Sequence, residues 1–424
     1  MYKKTFAIVV AALATMTTMA ENTITTTDED AKTDERTTYV DEEQFRDQEA
    51  WTIQGAITNA IAGRRATAGN TSEATQTAES EAPTQGSIVG DKGWKRDNIA
   101  TVPKFGGYII GSYKYDSGSD TKGDGFGLRL IRLYVDGTVL KDFKYRLQLE
   151  VNGTPHVKDA FIEWQHWDAL RIKAGQFKRA FTFENPYNPW DVGTGDYSQI
   201  VKKLAGMGDR CGEKSMGGRD MGLQLQGDLF KSSRDGHYQL HYQAAVYNGQ
   251  GINLKDADRK KDFIGTIQWS PVKGLYIGAF GWKGTWTDGG ITVDRDRYAF
   301  GASYEGTNGW SARAEYARSR GYKVTDYQPD HTLKADKVGM NHADAWYATI
   351  GMPVWRWIKV YAKYDAYRDY ATNSTMHSIY SLAANLQPHK NLMLQLQYNF
   401  NNDRTRALGD HNYHQFWAET YVRF

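Results

Sequence analysis

The chain has 424 residues, with 52 basic against 50 acidic side chains and a mean hydropathy of -0.65. Past the N-terminus it holds no apolar run of ~18 residues, which excludes a membrane-crossing helix there. Its single cysteine, Cys211, excludes an intramolecular disulfide framework. A transmembrane β-barrel remains open, because barrels cross with short alternating segments and look polar on average. Tyr (27), Phe (16) and Trp (13) are abundant, and 42 Gly stand against 9 Pro, as expected of strands with aromatic girdles and glycine turns.

The first 20 residues read as a secretory signal: Lys3 and Lys4, an apolar stretch from Phe6 to Ala14, then Thr18-Met19-Ala20 before Glu21. Residues 21–100 carry a net charge of -8 and are rich in Thr, Ser, Ala and Glu, whereas 101–424 carry +8. The acidic stretch reads as a mostly disordered periplasmic leader. Within it, Asp41-Glu42-Glu43 followed by Phe45, Trp51, Ile53, Ile57 and Ile61 up to Gly63 suits a short docking helix or a transient one in a tether.

From residue 101 on the chain alternates. Leu392, Leu394, Leu396, Tyr398 and Phe400 interleave with Met393, Gln395, Gln397 and Asn399. A period of 2 puts the two sets on opposite faces. Sixteen segments of ~10 residues, the length of a tilted membrane-crossing strand, are expected: 104–115, 125–136, 143–152, 157–167, 169–177, 219–230, 236–247, 261–271, 274–286, 297–306, 309–320, 343–353, 356–367, 376–387, 390–401 and 413–424. Tight connections alternate with long ones (178–218, 248–260, 287–296, 321–342, 368–375, 402–412), which suits short periplasmic turns and long outer loops. A sandwich or propeller would not alternate its loop lengths, and no fixed-period repeat occurs. The last residue, Phe424, gives an aromatic end to an amphipathic strand and resembles the signal read by the barrel-insertion machinery. The expected fold is an all-β transmembrane antiparallel barrel over 101–424.

Charged side chains on these strands (Arg129, Arg132, Arg146, Arg171, Lys173, Arg313, Lys359 and Lys363) are expected to avoid lipid and face inward, with Gln148, Gln224, Gln226, Gln239, Gln243, Gln395 and Gln397. Sixteen strands enclose an aqueous channel, and excess positive charge in it favours anions. The third outer loop by this strand count, 178–218, is too long to be a mere connection. It holds Lys178, Arg179, Lys202, Lys203, Arg210 and Lys214, with Arg219 at the next strand, and these are the constriction candidates. It also holds Glu184, Asp191, Asp196, Asp209 and Glu213, which can pair with those bases, while Phe181, Phe183, Tyr187 and Trp190 are candidates to pack it on the wall.

Four stretches go further: DAFIEWQHWDALRIKAGQFKRAF (159–181), GGRDMGLQLQGDLF (217–230), YQAAVYNGQGIN (242–253) and DFIGTIQWSPVKGLYIGAFGWKG (262–284). In order and spacing they resemble the phosphate-selective porin O/P family. The resemblance implies a sixteen-stranded trimeric barrel in the bacterial outer membrane, passing phosphate or polyphosphate past basic residues. Lys178 takes the motif's lysine, and Arg219 and Asp220 its Arg-Asp pair.

The function expected is passive diffusion of small anions, with outer-membrane lipid and other copies of the chain as partners and no nucleic acid, cofactor or metal. An enzyme is disfavoured: there is no GxSxG, HExxH or cysteine pair, and His237 and His241 share a strand face without a third partner. A plugged structural barrel and a sugar-passing porin using Tyr361, Tyr367, Trp282 and Trp417 stay open as alternatives.

Overall fold

Alternation commits each segment to extended chain, and pairing with the next satisfies its backbone groups. The computed structural model describes residues 101–119, 124–213, 217–407 and 409–424. The expected signal peptide, the acidic leader with its helix, and Lys214 lie outside these residues.

Among the described residues the strands are β1 (Lys104–Asp116), β2 (Gly125–Val139), β3 (Phe143–Glu150), β4 (His156–Trp167), β5 (Leu170–Lys178), β6 (Arg219–Lys231), β7 (Tyr238–Tyr247), β8 (Asp262–Trp269) and β9 (Leu275–Lys283). There follow β10 (Thr285–Asp288), β11 (Ile291–Asp294), β12 (Asp296–Glu305), β13 (Ser311–Arg320), β14 (His342–Trp355), β15 (Ile358–Arg368), β16 (Met376–His389), β17 (Leu392–Asp403) and β18 (Asn412–Arg423). All but β10 and β11 form one closed antiparallel barrel, so the sixteen expected crossings are present. The barrel closes between β1 and β18, with Ile110 opposite Tyr421 and Lys114 opposite Trp417. Closure leaves no strand edge unpaired.

One expected strand is cut short. The alternation of 274–286 continues in sequence, but the barrel strand ends at Lys283, and Thr285–Asp288 pairs instead with Ile291–Asp294. Gly289 (φ 55°) and Gly290 (φ 80°) make the positive-φ turn that such a hairpin needs. Trp286 and Val293 then pack on Cys211 of the long third loop. What reads as an irregular loop, 287–296, is therefore mostly hairpin.

Two bulges reassign faces. Arg129 and Arg132 are three apart and belong on opposite faces of a regular strand. The register slips between Ile110 and Gly111, so Arg129 is the unpaired extra residue in β2. Arg129 then reaches Glu419 at 2.6 Å while Arg132 reaches Glu150 at 2.7 Å, both on the inner wall. A second slip, between Gln148 and Leu149, leaves Lys158 as the extra residue of β4 and turns it inward beside Asp159. The outer face stays apolar: Leu147, Ile162, Leu223, Phe263, Phe300 and Ile350 are all exposed. The inner face is polar, and Gln148, Gln224, Gln226, Gln395 and Gln397 are buried there.

Candidate functional site

The described residues of the loop, 179–213 with 217 and 218, do not hang outside the barrel; they cross its interior. The first fastening is apolar. Phe181 and Phe183 pack edge-on against Phe280, and Phe181 also against Trp282. A short helix, α1 (Gln199–Leu204), buries Ile200, Val201 and Leu204 completely. It rests against β13, β14 and β15, where Ala317, Ala343 and Ala345 make a patch of small side chains that leaves room for it. The Ser198 hydroxyl caps the helix by accepting from the Val201 N–H.

The second fastening is polar. The Glu315 carboxylate accepts from the Phe183 N–H at 2.7 Å and the Glu184 N–H at 3.2 Å. Asp365 accepts from the Gln199 N–H at 2.9 Å. Gln395 and Asn385 donate to the Gly193 carbonyl, and the Gly195 N–H donates to Gln397. Trp190 stands edge-on to Tyr421 under the Arg423 guanidinium. The loop is thus held by strands from β9 to β18.

Several expected constriction bases are absorbed by this fastening. Arg179 has no exposed side-chain surface and bridges Glu213 (2.9 Å) and Asp220 (2.7 Å). Arg219 clamps Asp159 with two bonds of 2.8 Å. The Lys178 ammonium donates to the carbonyls of Asn185 and Tyr187. Arg210 holds Asp369 (3.2 Å) and the Gly321 carbonyl. Arg313 donates to Tyr347, Glu184 and the Val192 carbonyl. Two bases not singled out in the sequence, Arg295 and Arg297, complete the set by binding Glu213 with Asp262, and Asp209, respectively. Trp282 lies under the guanidinium groups of Arg179, Arg295 and Arg297, and is too buried to offer its face to a solute. Within this knot burial would raise the Asp209 carboxyl, but the Arg297 guanidinium holds it well below its usual range. Burial, with Asp209 beside it, pushes the Cys211 thiol up to about 12.

Two groups of partly exposed cations remain. Toward the short turns, Arg146 pairs with Asp136, Arg171 with Asp228 and Lys173 with Glu163, one carboxylate to each base. Toward the long loops the balance differs. Lys202 binds Asp196, while Arg129 and Lys114 both reach Glu419. Lys114, Arg129 and Lys202 keep 39%, 17% and 33% of their side chains exposed. Partial burial would raise the Asp196 carboxyl, but Lys202, Arg129 and Lys114 together hold it below its usual value. Lys203, also half-buried, has no ion pair among the described residues. Burial and the Lys202 charge push its ammonium below its usual value, with Asp369 and Asp403 opposing. Lys114 and Glu419 were not singled out in the sequence. Lys114 shares the inner face of β1 with Tyr108 and Ile110, which are buried in a cluster that Trp190 of the loop packs against.

The family described as phosphate-selective porin O and P matches residues 104–417, nearly the whole barrel. The chain belongs to that family. It is therefore an outer-membrane porin of a bacterium. Solved structures similar to this porin include an anion-selective porin from Comamonas acidovorans (12% identity, 77% of this chain and 100% of the other, TM-score 0.57). The outer membrane channel DcaP of Acinetobacter baumannii is similar too (12% identity, 78% and 99%, TM-score 0.53). So is OmpF of Salmonella typhi, solved with daunomycin (12% identity, 76% and 97%, TM-score 0.55). At these identities the likeness is one of fold. No curated protein matches the sequence significantly.

Proposed function

We propose that this porin passes small anions preferentially, and that Lys202 and Lys203 on α1, with Lys114 and Arg129 on the facing wall, set the preference. The supporting observation is the crowding of Lys202, Arg129 and Lys114 around Asp196, with Glu419 as the other carboxylate of the group. Such an excess raises the local concentration of anions and lowers their barrier. Arg146, Arg171 and Lys173 line the short-turn half and keep the path wet, their charge offset by their partners. The buried bases Lys178, Arg179, Arg210, Arg219 and Arg313 serve by holding the loop that carries Lys202 and Lys203. Phosphate and polyphosphate are the solutes the family description suggests, and lysine presents a point charge suited to them. A homotrimer, a cleaved signal at residues 1–20 and insertion through the Phe424 end complete the proposal.

The test is the reversal potential of the purified porin in a planar bilayer under a KCl gradient. Chloride preference that falls on adding phosphate is the expected result. A cation preference overturns the reading.

A further inference from the structure

The outer surface near the long loops is not uniform. Around β1 to β8 the outward residues there are uncharged: Tyr115, Phe126, Val157, Met221, Val246 and Phe263. On β9 and β12 to β15 they are charged. Lys283, Asp296, Arg318, Arg320, Asp344 and Arg368 stand at the long-loop ends of five strands that neighbour one another in the barrel. Their outward direction follows from the alternation. Arg318 shares a face with the exposed Ala312 and Ala314, while Arg313, Glu315, Ala317 and Ser319 form the inner set. Asp344 shares its face with Trp346, Ala348 and Ile350, and Asp296 with Tyr298 and Phe300.

Register places these residues side by side. Arg320 is opposite Asp296 and His342; Arg318 is opposite Tyr298 and Asp344; Asp344 is opposite Arg368. The two carboxylates are already engaged. Arg368 holds Asp344 with bonds of 2.9 and 2.6 Å, and Lys283 holds Asp296 at 2.6 Å. The guanidinium groups of Arg318 and Arg320 have no hydrogen bond or ion pair among the described residues. The arc therefore has four cations on two carboxylates, with two guanidinium groups unspent. Just below it lies an aromatic band of Tyr298, Phe300, Tyr316 and Trp346, and the Arg368 guanidinium lies 5.2 Å over the Trp346 ring.

Charge on the lipid face is costly at mid-depth and tolerated where polar headgroups begin. With short turns on the periplasmic side, this arc lies at the outer leaflet. Guanidinium groups bind phosphate oxygens with paired donors, and aromatic side chains favour the adjoining interface. We propose that Arg318 and Arg320, flanked by Arg368 and Lys283, bind the phosphorylated headgroup of an outer-leaflet glycolipid, and that this arc is a lipid-facing side of the barrel. The site is separate from the channel, since all its side chains point away from the lumen.

The experiment titrates the purified full chain in detergent with lipid A bearing both phosphates, with the same lipid after phosphatase treatment, and with inorganic phosphate as competitor. Native mass spectrometry reads bound lipid. The expected results are preference for the phosphorylated lipid, loss of about tenfold in affinity in R318Q/R320Q, and partial recovery in R318K/R320K. Reversal potential and conductance stay unchanged in all variants, which also establishes that they fold. Equal binding by R318Q/R320Q, or equal binding of the dephosphorylated lipid, overturns the proposal. Displacement of the lipid by millimolar phosphate overturns it too, because the site would then serve free phosphate rather than a headgroup.

Discussion

Two sets of basic residues in and beside the third loop work to different ends. Around Arg179, Arg210 and Arg219 each guanidinium is buried and meets a carboxylate, so the charge is spent on holding chain to wall. On α1, Lys202 and Lys203 keep their ammonium groups near open space, and only Lys202 meets a carboxylate directly. Charge acts on a passing solute where it is incompletely compensated and in contact with water. Residue type alone does not decide that. Burial and the number of partners do.

The comparison breaks most visibly at Arg179. Replacing it by Met leaves Glu213 and Asp220 short of a partner in a dry environment, and a loss of ~3–5 kcal/mol is expected; the thermal unfolding midpoint in detergent reports it. Lys203→Met, by contrast, should cost less than ~0.5 kcal/mol. If both variants unfold together, the division between holding and lining bases fails.

A second prediction loosens the loop without unfolding the barrel. Glu315→Ala orphans the Phe183 and Glu184 N–H groups, a loss of ~1–3 kcal/mol. Open-channel noise should rise and the loop should become a protease target, while the strand signal in circular dichroism persists. A quiet, protected loop would show that its apolar packing suffices.

Third, K202E/K203E should lower the anion-to-cation permeability ratio several-fold with the unfolding midpoint unchanged. Fourth, Arg146→Gln and Arg171→Gln remove bases that are matched one to one and partly exposed, so stability should change by no more than ~1 kcal/mol and reversal potential only slightly. An effect as large as that of K202E/K203E would move the selective region to the short-turn half.

The smallest effect is in pH. The Asp196 carboxyl lies below its ordinary value of 3.8, so it stays charged down through that pH. Acidifying further neutralises it and uncovers Lys202, Arg129 and Lys114, so anion preference should rise only in strong acid. A rise centred near neutral pH would point to other groups.

Much of the architecture was legible from residue alternation. The sixteen crossings, the inward charge and the unusual third loop all follow from a period of 2 and from the cost of charge in lipid. Where the reading stopped, the cause was long-range. The strand expected at 274–286 ends at Lys283 because Trp286 finds Cys211, about 75 positions away in the chain. Lys114 shares its face of β1 with the apolar Tyr108 and Ile110, and only the packing of Trp190 from the loop shows that face to be the inner one.

Local pattern determined fold class, strand number and, away from bulges and the loop-covered part of β1, which face of a strand is polar, because alternation and lipid exclusion act residue by residue. Only the tertiary structure decided which bases are spent. Arg313 meets Glu184 and Arg297 meets Asp209 across separations of 129 and 88 residues. An ion pair depends on where the folded chain brings its partner, and that position is not encoded within the segment that carries either residue.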